Sequence, residues 1–248
     1  YYYGSTITLK ATASAGYTWS KWTSSNTGLV GNQTTANTTF TMPAGAITMT
    51  PSATLNTYTI TYNLNGGAVS TANPTSYNVT TATFTLNNPS KTGYIFAGWT
   101  GSNGTTAQTS VSIAKGSTGN KSYTANWTAN PKTPYKVVHQ QMGLDGSIYT
   151  TVATENLTGT TGASITPAVK SYTGFTSPST QTTTIAANGS TVVTYKYTRN
   201  KYAYTLGSGT AVSTSGSTAS GSYYYGSTIT LKATASAGYT WSKWISSN

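Results

Sequence analysis

Residues 1–26 read YYYGSTITLKATASAGYTWSKWTSSN, and residues 223–248 read YYYGSTITLKATASAGYTWSKWISSN. The two stretches differ only at Thr23, which becomes Ile245, and lie 222 residues apart. Near-identity over this length marks an internal repeat, and a repeat determines how everything between its copies is divided. The 248 residues therefore read as one full period of a tandem array plus the opening of the next, with both ends falling inside a structural unit. Such a pattern points to an extended, repetitive protein rather than an enzyme.

Composition narrows the class. Charged residues make up 6% of the chain, against about 25% in an ordinary soluble domain. Thr, Ser, Asn, Gly and Tyr take their place. Regularly spaced Tyr, Trp, Ile and Val supply core material that disordered segments lack, and the mix of β-branched and aromatic residues with frequent turn residues reads as all-β. No run approaches the roughly 18 consecutive apolar residues of a membrane span. The chain has no Cys, so disulfides and thiolate metal sites are excluded. Its net charge is +11, from 13 Lys and Arg against Asp145 and Glu155 alone. The lysines are spread almost evenly with a single Arg, Arg199, whereas nucleic-acid recognition favours Arg and dense basic patches. The charge reads as solvation, and no nucleic-acid partner is implied.

Working outward, Ser5–Thr12 alternates with Ile7, Leu9 and Ala11 on one face, a strand pattern. Further strands are expected at Ala46–Ala53, Tyr58–Leu64, Ala82–Leu86, Lys121–Thr128, Tyr135–His139, Ser147–Thr154 and Ser190–Tyr197. Turns are expected at Asn65-Gly66, Asn103-Gly104, Asp145-Gly146 and Asn188-Gly189, the pairs that favour the type I′ hairpin because both central positions need positive φ. Four segments result: 1–56, 57–129, 130–200 and 201–248. The last supplies the first strands of a unit whose final strands are represented by 27–56, so three units of about seventy residues fill the period. Thr57, Ala129–Pro134 and Arg199–Lys201 read as short linkers between them.

The feature shared between units is aromatic. Tyr17, Trp19 and Trp22, Tyr94, Phe96 and Trp99, and the repeated Tyr239, Trp241 and Trp244 all stand at i, i+2 and i+5. In a regular strand i+5 points away from i and i+2, so burying all three rings requires a bulge or turn near Lys21 and near Gly98. The triplet, with Trp127, reads as the core of a small unit; a platform for sugars is the competing reading. For acid–base chemistry the chain offers only His139, Asp145 and Glu155, with no second His or Cys to complete a metal site. No catalytic residue, cofactor or metal is assigned. Glu155 is a candidate acid for an intramolecular Lys–Asn isopeptide bond, with Lys136 or Lys170 as the amine. Asn-X-Ser/Thr triplets begin at Asn32, Asn37, Asn78, Asn103, Asn120, Asn126, Asn156 and Asn188.

These residues resemble known families. Residues 58–128, through Tyr62-Asn63-Leu64-Asn65-Gly66-Gly67, Gly93–Trp99 and Tyr123–Trp127, resemble the Listeria–Bacteroides repeat, an internalin-type B-repeat. Residues 201–248 together with 1–56, through GYTWSKW and Phe40–Gly45, resemble its divergent bacterial version. Residues 135–200, through Tyr135, His139, Leu144-Asp145-Gly146 and Gly159–Ala163, resemble the mucin-binding-like module of Gram-positive surface proteins. The resemblances imply a mostly β, elongated tandem array of small β-grasp-like or β-sandwich-like modules on an extracellular bacterial surface protein. They imply a stalk, adhesin shaft or filament whose partner is itself, through neighbouring repeats or head-to-tail subunits. The alternative is a module binding host or wall glycans or mucin.

Overall fold

The computed structural model describes residues 1–26 and 34–247. The chain divides into two compact units, Tyr1–Thr128 and Ala129–Asn248. The described residues form β-strands and turns without a helix, as the β-branched and aromatic composition requires.

In the first unit, a five-stranded mixed sheet runs in the order Ser76–Tyr77, Tyr58–Asn63, Lys121–Ala129, Tyr94–Gly101, Gly104–Gln108. The first long strand of this module, Tyr58–Asn63, lies parallel to its last, with Ile60 opposite Lys121 and Asn63 opposite Thr124. A two-stranded ladder, Phe84–Thr85 with Ser112–Ile113, accompanies Leu86, Val111 and Ile113 onto a core of Ile60, Tyr77, Trp99, Tyr123 and Ala125. Sheet and ladder thus bury one shared layer, a small sandwich. The preceding segment forms two separate ladders: Thr6–Leu9 with Thr38–Thr41, and Tyr17–Ser24 with Met49–Leu55.

In the second unit, a four-stranded sheet has the order Tyr149–Gly159, Thr133–Met142, Val192–Arg199, Phe175–Thr176. Its first and last long strands are again parallel, from Lys136 opposite Val192 to Gln141 opposite Tyr197. Val137, Val193, Tyr195 and Tyr197 form the core. Lys201–Tyr204 then pairs with Gly221–Tyr224, and Val212–Ser213 with Thr234–Ala235.

Two expectations change. Only Asn65-Gly66 has positive φ at both residues, 47° and 80°, and Gly67 N donates to Leu64 O across it, as in a type I′ turn. At Asn103-Gly104, Asp145-Gly146 and Asn188-Gly189 only the glycine does. Asp145 instead accepts from the Ser147 and Ile148 amides through its carboxylate, and Asn188 from the Ser190 amide; side-chain-capped turns replace the I′ geometry. The proposed linkers also shorten. Thr133 already belongs to the strand that follows Ala129 and is 2% exposed, while Asn200 alone separates Val192–Arg199 from Lys201–Tyr204.

Candidate functional site

The aromatic triplet at Tyr94, Phe96 and Trp99 depends on a break in strand register. Pairing with Gly104–Gln108 shifts between Trp99 and Gly101, and Gly98 takes φ +128° with the Gln108 backbone against it. A register shift also falls between Trp19 and Lys21. Trp99 points inward, fully buried, with its indole N–H donating to Asn88 Oδ1 at 3.0 Å. Phe96 sits edge-on to both Trp99 and Trp127, each at 5.5 Å, and Trp127 donates to Leu64 O. Tyr94 and Phe96 are half-buried, and the Lys91 ammonium lies 4.4 Å over the Tyr94 ring. These rings are engaged in holding one module together.

The two copies of the repeated triplet have different fates. Trp22 is buried, Tyr17 and Trp19 are half-buried, and the two indoles donate to Thr34 O and Ala36 O. Tyr239, Trp241 and Trp244 are exposed, at 65%, 39% and 39%. Among the described residues no strand pairs over them as Met49–Leu55 pairs with Tyr17–Ser24, and they are not buried as the core expectation has them. They line a cleft of about 880 Å³ with Leu206, Val212 and Leu231.

Two joints between modules share one construction, which sequence reading missed. Asn56 follows Met49–Leu55; its amide N donates to Gly16 O, and its side chain accepts from Thr18 Oγ1 at 2.6 Å. Asn200 does the same with Gly174 O and Thr176 Oγ1, also at 2.6 Å. In both, a glycine with φ near +80° lets a side chain of the next module sit against bare backbone: Val79 on Gly16 and Tyr225 on Gly174. At the second joint, Arg199 donates to Met142 O and Tyr225 O and lies 4.7 Å over the Phe175 ring. The recurrence of Gly-aromatic-Thr at 16–18 and 174–176 is the signal that was available.

The titrating residues form a structural network. His139 is fully buried, with Nδ1 2.8 Å from Tyr197 Oη. Tyr197 Oη also accepts from the Lys170 amide, and the direction of its bond with Nδ1 follows the ring tautomer. Nε2 faces Glu155 Oε1 at 3.6 Å, too long for a hydrogen bond. Burial, then the nearby Lys170 charge, pushes the His139 pKa down. The Lys170 ammonium pairs with Glu155 at 2.5 Å and holds its carboxyl below the usual range, while Glu155 pushes the Lys170 amine up. Both groups are charged and partly exposed, so Lys170 has no neutral amine to attack an amide. Lys136 stands opposite Asn156 and Val137 opposite Glu155, which places Lys136 on the other face from the acid. Of the two candidate amines the structure brings only Lys170 to Glu155, as an ion pair.

Among the described residues no cluster of three metal-ligating side chains occurs. Several glycosylation-type asparagines have internal work: Asn78 caps its own turn, Asn103 donates to Trp99 O, and Asn126 donates to Gly98 O. Asn32 lies outside the described residues.

Two families match the chain. Residues 1–54 and 204–248 match the divergent InlB B-repeat domain, and residues 58–126 match the Listeria–Bacteroides repeat domain. The mucin-binding-like resemblance of 130–200 has no counterpart among these matches. No curated protein and no solved structure matches the chain.

Proposed function

Since the chain carries a Listeria–Bacteroides repeat domain flanked by stretches of the divergent InlB B-repeat domain, we propose that it is the structural repeat region of a secreted or wall-anchored bacterial surface protein. Such repeats are typical of bacterial surface proteins. No helix of the described residues is long and apolar enough to cross a membrane. In this reading the modules form a stalk, adhesin shaft or extracellular filament.

The observation that carries the proposal is the return of a 26-residue stretch after 222 residues. A module that meets only its neighbours gains stability from each added copy. The two asparagine joints support this, because each fastens the end of a module to a turn of that same module, and a side chain of the next module, Val79 or Tyr225, is seated on that turn. A stalk has no need of an active site; its requirements are repetition and joints of low freedom.

Antibody raised against residues 58–126 tests the location. Intact cells should be labelled, and brief protease treatment of those cells should release the epitope. Signal confined to lysed cells would overturn the surface role. Denaturing mass determination on native material then distinguishes a giant tandem polypeptide from a discrete subunit near 25.8 kDa.

A further inference from the structure

His139 and Lys170 converge on the same two acceptors. His139 lies in Thr133–Met142 and is fully buried. Its Nδ1 is 2.8 Å from Tyr197 Oη, which also accepts from the Lys170 amide. Its Nε2 has no hydrogen-bond partner. It faces Glu155 Oε1 at 3.6 Å, the same oxygen that the Lys170 ammonium holds at 2.5 Å. The other groups around the imidazole are rings: Tyr195 and Tyr197 at centroid distances of 5.7 and 5.8 Å, with Tyr172 edge-on to Tyr197 at 4.7 Å. Among the described residues, the charges facing His139 are those of Glu155 and Lys170.

Lys170 belongs to a segment, residues 166–173, that joins Ser164–Ile165 to Phe175–Thr176 without entering any strand. Lacking ladder bonds, the segment is fastened by side chains. Tyr195 Oη donates to Pro167 O at 2.6 Å, and Ser177 Oγ to Lys170 O at 2.9 Å. Tyr197 Oη holds Lys170 by its amide and Glu155 holds it by its ammonium. Val169 and Tyr172 pack against the core of Val137, Val193, Tyr195 and Tyr197. Residues 166–173 are therefore a strap over an aromatic core, and Lys170 is its main fastening.

A neutral imidazole fits this arrangement because it donates at one nitrogen only, whereas an imidazolium donates at both. Tyr197 Oη would then accept from Nδ1 as well as from the Lys170 amide, and its own proton would have no acceptor. Glu155 Oε1 would have to serve two cations. A buried donor left unpaired is costly, and a second positive charge beside the first is disfavoured. We propose that residues 166–173 are an acid-released strap: a proton taken from solvent by His139 displaces Lys170 from Tyr197 and Glu155, and the strap lifts to bare the Tyr195 and Tyr197 rings. Lys170 is already 41% exposed, so its ammonium passes to water at little cost. With the strap closed, burial and the Lys170 charge push the imidazole pKa down; with it open, the group returns towards about 6.5. Opening therefore takes up a proton. The closed strap is fully favoured above about pH 6.5 and loses ground about tenfold per pH unit below it. This goes beyond the array role and does not depend on where that array is displayed.

The chain has one histidine, so its imidazole signal in proton NMR reads His139 directly. Amide exchange in the same 248-residue chain reads the strap. Below about pH 6.5, protection of the Lys170 amide, corrected for intrinsic exchange, should fall about tenfold per pH unit. The imidazole should gain its proton over the range in which the strap opens. The Val137 amide, in the ladder opposite Glu155, should keep its protection throughout. His139→Gln should leave the Lys170 amide equally protected from about pH 7 to 5. Lys170→Met, which removes the competing cation, should move the imidazole midpoint upward. A Lys170 amide that stays protected while the imidazole takes its proton overturns the proposal. So does a loss confined to the carboxylate range, a loss shared equally by Val137, or an imidazole midpoint unmoved in Lys170→Met. Each of these results leaves the surface-labelling test of the array untouched.

Discussion

Trp99 offers the sharpest test of how the 57–129 module is held together. Its side chain is fully buried among Tyr62, Phe96 and Tyr123, at centroid distances of 6.0, 5.5 and 6.4 Å. Removing it in Trp99→Ala withdraws about 150–250 Å² of aromatic surface, roughly 4–6 kcal/mol at about 25 cal/mol per Å². Large-to-small substitutions at aromatic core sites cost about 3–5 kcal/mol. Trp99→Phe keeps a ring against Phe96 but leaves Asn88 Oδ1 without its donor, a loss of about 1–3 kcal/mol. Ile95, four residues earlier on the same strand and 51% exposed, is the control, and Ile95→Ala should cost no more than about 1 kcal/mol. Urea unfolding followed by far-UV circular dichroism measures all three, because the signal does not depend on the indole being removed. The expected order of loss is Trp99→Ala, then Trp99→Phe, then Ile95→Ala. If Trp99→Ala falls within about 1 kcal/mol of Ile95→Ala, the ring is not the centre of this core and the packing argument fails.

Other outcomes follow from the same geometry. Gly98→Ala places a Cβ 2.6 Å from Gln108 N at φ +128°; it should lower stability by more than about 2 kcal/mol in urea melts, whereas Gly104→Ala, with open space around it, should cost less. His139 has a pKa below its ordinary value in the fold, so the unfolded chain binds the extra proton first. Stability should be fully present above about pH 6.5 and fall as pH drops below it. Glu155, whose pKa is also depressed, should extend the loss into the carboxylate range. His139→Gln should flatten the slope between about pH 7 and 5; an unchanged slope would place the titrating group elsewhere. Intact mass should show no loss of water or ammonia, since Lys170 and Glu155 meet as an ion pair. Asn200→Ala should leave Thr176 Oγ1 without its 2.6 Å partner and accelerate amide exchange at Tyr225, whose N–H donates to Asn200 O.

The sequence was most informative where the signal is local. Alternation marked Tyr58–Asn63 and Lys121–Ala129 as strands, and the 3-residue offset between Phe96 and Trp99 required a departure from regular strand geometry, which Gly98 supplies at φ +128°. Turn type was less legible, because Asp145 and Asn188 use their side chains to cap the chain rather than adopt positive φ. Parallel pairing of Ile60 with Lys121 left no local trace, since a contact closing some sixty residues depends on everything folded between. The exposure of Trp241 and Trp244 was unreadable for a stricter reason: residues 17–22 and 239–244 are identical, so no property of the stretch distinguishes the covered copy from the bare one. Only its surroundings do. Asn56 and Asn200 went unnoticed because a lone asparagine between strands looks like any turn residue until its two partners are seen.

The parallel placement of first and last strands has a consequence under tension. In the 57–129 module the chain enters at Tyr58 and leaves at Ala129 along adjacent strands running the same way. In the second unit Thr133–Met142 and Val192–Arg199 repeat the arrangement over a longer register. A pull on the two ends of such a module drags these neighbours past each other lengthwise. The evenly spaced bonds between parallel strands then bear the load together instead of parting one after another, as they would in a hairpin pulled open from its free ends. These two modules thus each carry a shear clamp at the centre, and each would yield only at forces that break a whole ladder at once.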